Sequence, residues 1–322
     1  MLTRHQMLCA TVSALSLMLA GCGGGGGVQV ASIPAPPQSP TPTPTPTPTP
    51  SCSGAQCLQV VDIFPAVKTT TQFAALGLEA SKAGVSASSL ARSGFSVQYD
   101  AEAGVYIFDV PSSAPAGFYE NIGNTPSNRF WNGEFADAPS NTSVQASVFE
   151  PRTTNPDIQL TYTSFASYGD LVGGAHPFGF VAFGAATPQA AIPVTGSATY
   201  SAVVRGSTLD GGSYIAGSAT LNFDFAAGTL GGHFDPTIVS YAGLGEQVSL
   251  GRYDFTNTVF GVGSGSFSGQ LSNTTLSGLG SFDGVLTGPS AEELMARWSA
   301  PYRLPGAQTT SEMFGVLVGK RP

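Results

Sequence analysis

The chain has 322 residues, of which 10% are charged and 41 are glycine, and it carries a formal net charge of −8. Low charge with abundant Gly, Ser and Thr is typical of exported β-proteins with many turns rather than of helical cytosolic enzymes. The acidic balance, with a pI near 4.7, argues against nucleic acid as a partner and against docking on anionic lipid.

The first 21 residues have the features of a secretory signal peptide. Arg4 gives a weakly basic start, residues 7–20 are almost wholly apolar or small, and the stretch closes with Leu19-Ala20-Gly21-Cys22. A positive start, a short apolar core and a small-residue cleavage site define such a signal, and the apolar run is too short to span a bilayer. An ordinary cleavage site followed by an incidental cysteine is the alternative interpretation.

The tetrapeptide that ends at Cys22 resembles the bacterial lipobox. In proteins with this motif the cysteine sulfur is acylated, for example with palmitate, and becomes the mature N-terminus; two or more acyl chains hold a protein stably on a membrane. By the same rule an Asp after the cysteine implies retention at the inner membrane. Gly23 occupies that position, so we expect a lipid-anchored protein of the outer membrane.

Four cysteines are present, and two of them remain free for pairing. Cys9 leaves with the signal peptide and Cys22 takes lipid, which leaves Cys52 and Cys57. In an oxidising compartment this isolated pair predicts a small disulfide loop. A metal site is the alternative, but it needs two further ligands and no His or Cys lies near in the sequence.

Residues 22–57 form the predicted tether. Gly23–Gly27 is a run of glycines that behaves as a flexible coil, and Pro40–Pro50 alternates Pro with Thr. The second stretch favours a stiff polyproline conformation, which reaches roughly 35 Å at about 3.1 Å per residue. Neither stretch can bury apolar surface, so both serve as a spacer.

Residues 58–168 indicate a small β-rich domain. Segments 95–99 and 105–110 flank a Gly-containing loop and predict a hairpin. Segments 143–149 and 159–165 are further strand-like runs. Between them lies a polar Gly/Asn/Pro-rich region, about residues 114–140, for which no strand is predicted.

Residues 169–322 predict an eight-stranded antiparallel up-and-down barrel. Leu221, Phe223 and Phe225 alternate with Asn222 and Asp224. Period-two alternation with short connections favours a meander closed into a barrel, because closure removes both exposed edges. The predicted strands are Phe178–Gly184, Ser197–Arg205, Tyr214–Phe225, Thr229–Phe234, Gln247–Phe255, Ser264–Leu271, Gly280–Leu286 and Met313–Gly319.

One short helix is predicted before the last strand. Ser290-Ala291-Glu292-Glu293 fits a capping box, and Leu294, Met295 and Trp298 follow on one helical face. We expect this helix to pack against the barrel or to cap one of its ends.

Several segments of this region carry a family resemblance. Residues 184–200 resemble the opening of the transferrin-binding protein B β-barrel domain, and the later motifs follow in the same order. These motifs are Leu221-Asn-Phe-Asp-Phe225, Gly228-Thr-Leu-Gly-Gly232, Gly265-Ser-Phe-Ser-Gly269, Gly280-Ser-Phe-Asp-Gly284, Gly288-Pro-Ser-Ala-Glu-Glu293 and Phe314-Gly-Val-Leu-Val-Gly-Lys320.

The resemblance covers roughly residues 159–320 and implies a surface lipoprotein with a β-rich handle domain beside a soluble eight-stranded barrel. Members bind host iron proteins, haem proteins or complement regulators. This chain has room for one handle and one barrel only, unlike the two-lobed transferrin receptors, and no ligand-contact motif transfers residue by residue.

The sequence shows no catalytic constellation. His176 and His233 are the only histidines after the signal segment, and they lack the neighbouring ligands of a zinc site. The Gly261-Val-Gly-Ser-Gly265 pattern lies between predicted strands, and a phosphate loop needs a helix after it. The predicted protein therefore is not an enzyme and has no cofactor.

The strand acids are the remaining candidates for catalysis, because glycosidases need only two carboxylates. They are Asp224, Asp235, Asp254 and Asp283. On alternation, Asp224 and Asp254 point outward with the polar face, which favours solvated acids.

The sequence thus predicts a non-enzymatic surface lipoprotein that binds an extracellular protein or solute. A periplasm-facing structural or assembly lipoprotein is the alternative, and a glycan- or peptide-directed enzyme is a third reading. A transmembrane barrel also stays open, since alternation alone does not say which face meets lipid.

Overall fold

A computed structural model describes residues 71–100, 102, 105–120, 130–137, 142–150, 155–169, 176–240 and 247–322. Cys22, Cys52, Cys57 and the predicted tether lie outside these residues. The described chain is all-β. Its strands are β1 (Thr71–Ala80), β2 (Ser96–Asp100), β3 (Val105–Val110), β4 (Ser113–Glu120), β5 (Phe130–Asp137), β6 (Thr142–Phe149), β7 (Thr163–Gly169), β8 (Phe178–Gly184), β9 (Ser197–Thr208), β10 (Ser213–Asp224), β11 (Thr229–Ser240), β12 (Val248–Ser249), β13 (Tyr253–Phe260), β14 (Ser266–Ser272), β15 (Gly280–Thr287), β16 (Glu293–Tyr302) and β17 (Ser311–Lys320).

Strands β1 to β8 form the first barrel, in which each strand pairs antiparallel with the next and β1 pairs with β8. The predicted handle-like domain is therefore itself a closed eight-stranded barrel. Two of its strands, β4 and β5, lie in the region around residues 114–140 for which no strand was predicted. The hairpin prediction is confirmed, because β2 pairs with β3.

The assignment of Phe178–Gly184 to the second barrel was wrong. This segment is β8, which pairs with β1 and β7 and closes the first barrel. Strand pairing therefore divides the two barrels after Gly184 rather than at the predicted boundary at residue 168. Local sequence does not show which barrel this strand belongs to, because its partner β1 lies about a hundred residues earlier in the chain.

Strands β9 to β11 and β13 to β17 form the second barrel, closed by the β10–β11 and β9–β17 pairings. The predicted eight-stranded antiparallel barrel is thus confirmed. Its alternation is confirmed as well: Leu221, Phe223 and Phe225 are buried, while Asn222 and Asp224 are exposed.

The predicted helix after Ser290 is wrong, because Glu293–Tyr302 forms strand β16 between β15 and β17. Nearly every residue of this strand is buried. Leu294 and Trp298 point into the second barrel, while Met295 packs in the apolar cluster between the barrels. A strand buried on both faces is apolar without alternation, so its sequence does not distinguish it from a helix.

An apolar interface joins the two barrels. Outward-facing residues of β1, β7 and β8 pack against outward-facing residues of β9, β16 and β17. Phe314 lies at its centre, with ring centroids 5.6 Å from Phe178 and 5.8 Å from Phe180. The helices in the described part of the chain are three-residue 3-10 turns, and none of them has the length or apolarity to cross a bilayer.

Candidate binding surface

Aromatic side chains occupy the interior of the first barrel. Phe108 stacks on Phe135 with ring centroids 4.4 Å apart, and Tyr106 contacts Phe183 edge-on at 5.4 Å. These rings come from β3, β5 and β8, so they fill the barrel from several sides. An eight-stranded barrel has a bore that side chains can just fill, and this one is filled.

The second barrel is filled in the same way. Trp298 lies with its ring centroid 4.9 Å from Phe234, and Phe255 contacts Phe282 at 4.7 Å. All four belong to one apolar cluster that runs through the barrel. Side chains therefore occupy the interior of both barrels.

Ion pairs flank the apolar interface between the barrels. On one side, the Arg297 Nε lies 2.9 Å from both carboxylate oxygens of Asp283, and Arg297 also donates to the backbone oxygens of Gly77 and Arg92. On the other side, the Arg205 guanidinium lies 2.5 Å from the Asp157 carboxylate. Polar contacts across both margins fix the orientation of one barrel on the other.

A buried carboxylate lies at one end of the interface. Glu293 of β16 accepts hydrogen bonds from the backbone N–H groups of Thr161, at 2.6 Å, and Tyr162, at 2.9 Å. Burial raises the pKa of Glu293 to about 7, although these bonds, the Thr163 hydroxyl and the Lys320 charge act in the opposite direction. This carboxyl group therefore titrates near neutral pH.

The loops of the two barrels lie at two common ends. Thr71, where the described chain begins β1, is at the end that also holds Glu293, since Glu293 bonds to the residues just before β7. The opposite end joins the β1–β2 and β9–β10 connections, where the Gly84 N–H donates to the Leu209 carbonyl at 2.7 Å. Each end therefore presents loops from both barrels.

Three exposed valines lie on the second barrel at the Thr71 end. Val194, Val259 and Val262 are 54%, 68% and 57% exposed, and they are three of the five large apolar side chains that are exposed in the described residues. We call these three residues the valine surface. Val194 and Val262 lie in loops, and Val259 lies near the end of β13.

Hydrogen bonds and close contacts hold the loops under the valine surface. The Gln189 side chain donates to the Gly263 carbonyl at 2.8 Å, which joins the connection before β9 to the β13–β14 turn. A Cβ at Gly263 would lie 3.6 Å from Val194, and a Cβ at Gly228 would lie 3.2 Å from Val262. The β13–β14 turn thus contacts both the connection before β9 and the β10–β11 turn. Val194 lies at the first of these contacts and Val262 at the second.

A bulge in β13 precedes Val259. The register of β13 against β14 shifts between Thr256 and Val259, and Asn257 has a positive φ of 47°. Such a backbone conformation is uncommon outside glycine, and bulges redirect the side chains that follow. Here the irregularity places Val259 on the outside of the barrel.

The opposite end carries the other two exposed apolar residues, Leu279 and Leu304. Arg303 donates to the Thr275 carbonyl at 2.8 Å, so the β16–β17 loop contacts the β14–β15 loop. Asn273 caps the latter loop by accepting from the Thr275 N–H at 2.9 Å. This leucine pair is the smaller of the two exposed apolar groups.

The structure also places the residues considered for catalysis. His233 lies on the outside of the second barrel, with its Nε2 3.4 Å from Asp235, and His176 is exposed before β8. Asp224 caps the β10–β11 turn by accepting from the Ala226 and Ala227 N–H groups. Among the described residues, no group of three or more His, Cys, Asp or Glu side chains could hold a metal ion.

Two of the strand acids lie beside arginines. Asp235 contacts Arg252 at 3.4 Å, and Asp283 pairs with Arg297. Asp254 is exposed, as its place in the alternation predicted.

Sequence reasoning missed the valine surface. One signal was present, since Val262 stands between Gly261 and Gly263 in a turn, where polar residues are usual. A single apolar turn residue is a weak signal. Only the tertiary structure brings Val194 beside the turn that carries Val262.

No protein-family model and no curated protein matches the sequence of this chain. Solved structures of transferrin-binding protein B are similar to it. A double mutant of that protein from Haemophilus parasuis Hp5 is 9% identical with a TM-score of 0.44, over 78% of this chain and 45% of the other. The isotype 1 protein from serogroup B Neisseria meningitidis is 14% identical with a TM-score of 0.39, over 78% and 44%.

A further structure, described as a surface lipoprotein, is 11% identical with a TM-score of 0.34, over 77% of this chain and 98% of the other. This chain thus covers less than half the length of the two transferrin-binding proteins. They carry the name of the family that the sequence motifs resemble.

Proposed function

We propose that this chain is a lipid-anchored surface protein that binds an extracellular protein through the valine surface. The observation that carries the proposal is the exposure of Val194, Val259 and Val262 at one end of a filled barrel, where the loop of Val194 is hydrogen-bonded to the turn of Val262. The lipobox-like segment ending at Cys22 supplies the anchor, and the tether after it lets the barrels reach a large partner.

A protein ligand fits this arrangement better than an enclosed solute. Small-molecule sites are concave and enclose most of their ligand, whereas rings such as Phe108 and Trp298 occupy the barrel interiors. Exposed apolar groups rimmed by polar residues are typical of protein interaction sites. Iron- and haem-carrying extracellular proteins are the first partners to test, because the sequence motifs resemble a family that binds them.

Binding without catalysis is part of the proposal. The acids Asp235 and Asp283 each lie beside an arginine, and Asp224 caps a turn, so these carboxylates have structural partners. A hydrolase screen that found turnover lost on replacing the strand acids would contradict this part.

The proposed placement is the outer face of the outer membrane, with lipid on Cys22. Intact cells are treated with a protease too large to cross that membrane, and loss of the barrels is followed with an antibody. Digestion in intact cells is expected. Digestion only after lysis would favour the alternative, a periplasm-facing assembly lipoprotein.

The valine surface is tested by substitution. Val259→Asp with Val262→Asp places two charges on the valine surface and leaves buried residues unchanged. Binding of an iron- or haem-carrying extracellular protein that the unaltered chain binds is therefore expected to fall at least about tenfold. Leu279→Asp with Leu304→Asp is the matched control at the opposite end. Equal affinity of the valine variant and the unaltered chain, or loss only in the leucine variant, would overturn the assignment.

A further inference from the structure

A groove of about 340 Å³ lies beside the interface between the barrels. Its floor is the outer face of β9 and β10, where Ser201 and Val203 of β9 lie beside Ser218 of β10. Its wall is the segment before β7 of the first barrel, through Asp157 and Ile158. The groove shares no residue with the valine surface.

The wall of the groove is fixed in place. The Arg205 guanidinium, two residues beyond Val203 on β9, contacts the Asp157 carboxylate at 2.5 Å. Ile158 packs against the apolar cluster between the barrels, as does Val203. The groove is therefore preformed, and its middle part is apolar.

A lysine stands at one end of the groove. Lys320 of β17 lines it beside Ser201, its register partner on β9. Among the described residues, the Lys320 side chain makes no hydrogen bond or ion pair, and Pro322 also lines the groove.

The nearest carboxylate to Lys320 in the strand register is Glu293 on β16. Glu293 directs its oxygens to the backbone N–H groups of Thr161 and Tyr162 instead. The ammonium group is thus left available to a ligand, next to the Ser201 hydroxyl.

We propose that this groove binds a small organic anion with an apolar body. The anionic group contacts the Lys320 ammonium and the Ser201 hydroxyl, and the apolar body lies over Val203 and Ile158. Asp157 does not repel the anion, because Arg205 neutralises it. The volume of about 340 Å³ is at the lower end of the range for small-molecule sites, which suits a single short acyl chain or a fused aromatic ring.

The probe is decanoate, titrated by calorimetry into the full chain carrying Cys22→Ser so that no acyl anchor or detergent is present. Saturable one-site binding is expected. Lys320→Met keeps an apolar stem but removes the charge, and it should weaken binding by about tenfold or more, as expected for a lost charge-assisted contact. Decanol, which has the same chain without the charge, should bind the unaltered groove more weakly than decanoate.

Two further variants keep the outcome decisive. Ser218→Trp fills the groove from an exposed strand position and should abolish binding, while Lys82→Met removes an exposed lysine at the opposite end and should leave it unchanged. Thermal unfolding of each variant checks that it is folded. Absence of saturable binding, equal affinity in Lys320→Met, or retained binding in a folded Ser218→Trp chain would overturn the proposal.

Discussion

The Glu293 carboxylate of the second barrel accepts a hydrogen bond of 2.6 Å from the backbone N–H of Thr161 in the first barrel. Together with the bond from Tyr162 at 2.9 Å, this contact ties β16 to the segment that leads into β7. A buried carboxyl group with two backbone donors and a raised pKa makes the interface between the barrels sensitive to pH.

The stability of the protein should fall as pH rises toward neutral. An unfolded glutamate titrates near 4.5, whereas burial raises the pKa of Glu293 to about 7. The folded chain therefore binds more protons than the unfolded chain between these values. The stability that protonated Glu293 contributes is therefore fully present below pH 4.5 and is lost as the pH rises through about 7. It amounts to about 3 kcal/mol of the free energy of unfolding.

Glu293→Gln tests this dependence, because it removes the titration and keeps the shape of the side chain. Denaturant unfolding from about pH 4.5 to about pH 8 should give a flatter profile than the unaltered chain. Glu102→Gln, at an exposed position, is the control and should leave the profile unchanged. The same slope in the Glu293→Gln chain would show that other groups cause the dependence.

Replacing Arg297 should weaken the margin of the interface. Its Nε pairs with both oxygens of Asp283 at 2.9 Å, and its terminal nitrogen donates to the carbonyls of Gly77 and Arg92. Arg297→Ala removes the nearer of the two arginines beside Asp283, leaving Arg92 at 3.6 Å, and takes away the donor to the Gly77 and Arg92 carbonyls. We expect a loss of about 2–3 kcal/mol in urea unfolding.

Arg297→Lys should recover only part of that loss, since an ammonium group cannot reproduce the planar set of donors. Arg303→Ala, at an exposed arginine with one backbone contact, should change stability by less than about 1 kcal/mol. Full recovery by lysine would mean that charge alone, without geometry, matters at this position.

Phe314 should be among the most sensitive apolar positions. It is fully buried between the barrels against Phe178 and Phe180. Phe314→Ala should cost about 3–5 kcal/mol through lost burial and a residual cavity. In scanning calorimetry the unfolding transitions of the two barrels should separate, because this interface couples them. Leu304→Ala, at an exposed leucine, should be neutral within about 0.5 kcal/mol; a similarly small effect at Phe314 would contradict the interface.

Two adjacent glycines of β11 should differ in how strongly alanine destabilises the protein. Gly232 has a φ of +131°, and a Cβ there would lie 1.9 Å from the Thr220 carbonyl oxygen on β10. Gly231 has no atom within 4 Å of its Cβ position. Gly232→Ala should therefore cost at least about 2 kcal/mol, while Gly231→Ala should change stability by no more than about 0.5–1 kcal/mol. Thermal melts of the two variants compare them directly, and equal melting temperatures would refute the strain at Gly232.

Part of the fold could be predicted from the sequence because strand alternation is local. The burial of Leu221, Phe223 and Phe225 between exposed neighbours follows from the two-residue period of a strand. The sequence also predicted the correct number of strands in the second barrel, but one of the predicted strands was the wrong segment. Phe178–Gly184 was counted, and Glu293–Tyr302, which replaces it in the barrel, was taken for a helix.

Both errors have one physical cause. β8 and β16 are buried on two faces, because each lines a barrel inside and the interface between the barrels outside. Such strands lose their polar positions, and with them the signal that separates strand from helix and one barrel from the other. The strong capping pattern at Ser290 then favoured the wrong structure, and tertiary packing overrode it.

The candidate sites were even less accessible from sequence. Arg205 meets Asp157 across 48 residues, and Gln189 reaches Gly263 across 74. Neither pair has a spacing that local pattern analysis recognises. The valine surface and the groove beside Lys320 depend on such contacts, so no sequence motif predicts them.

By itself, the sequence determined the all-β class, the antiparallel second barrel and the outward placement of Asp224 and Asp254, because these follow from the chemistry of neighbouring residues. It also supplies the lipobox-like Cys22 and the tether, which remain predictions. Only the tertiary structure decided that the first domain is a closed barrel, that β16 is a strand, and which loops and margins form exposed apolar or cationic sites. Those features arise from contacts between residues far apart in the chain, and the free energy of such contacts is not contained in any one segment.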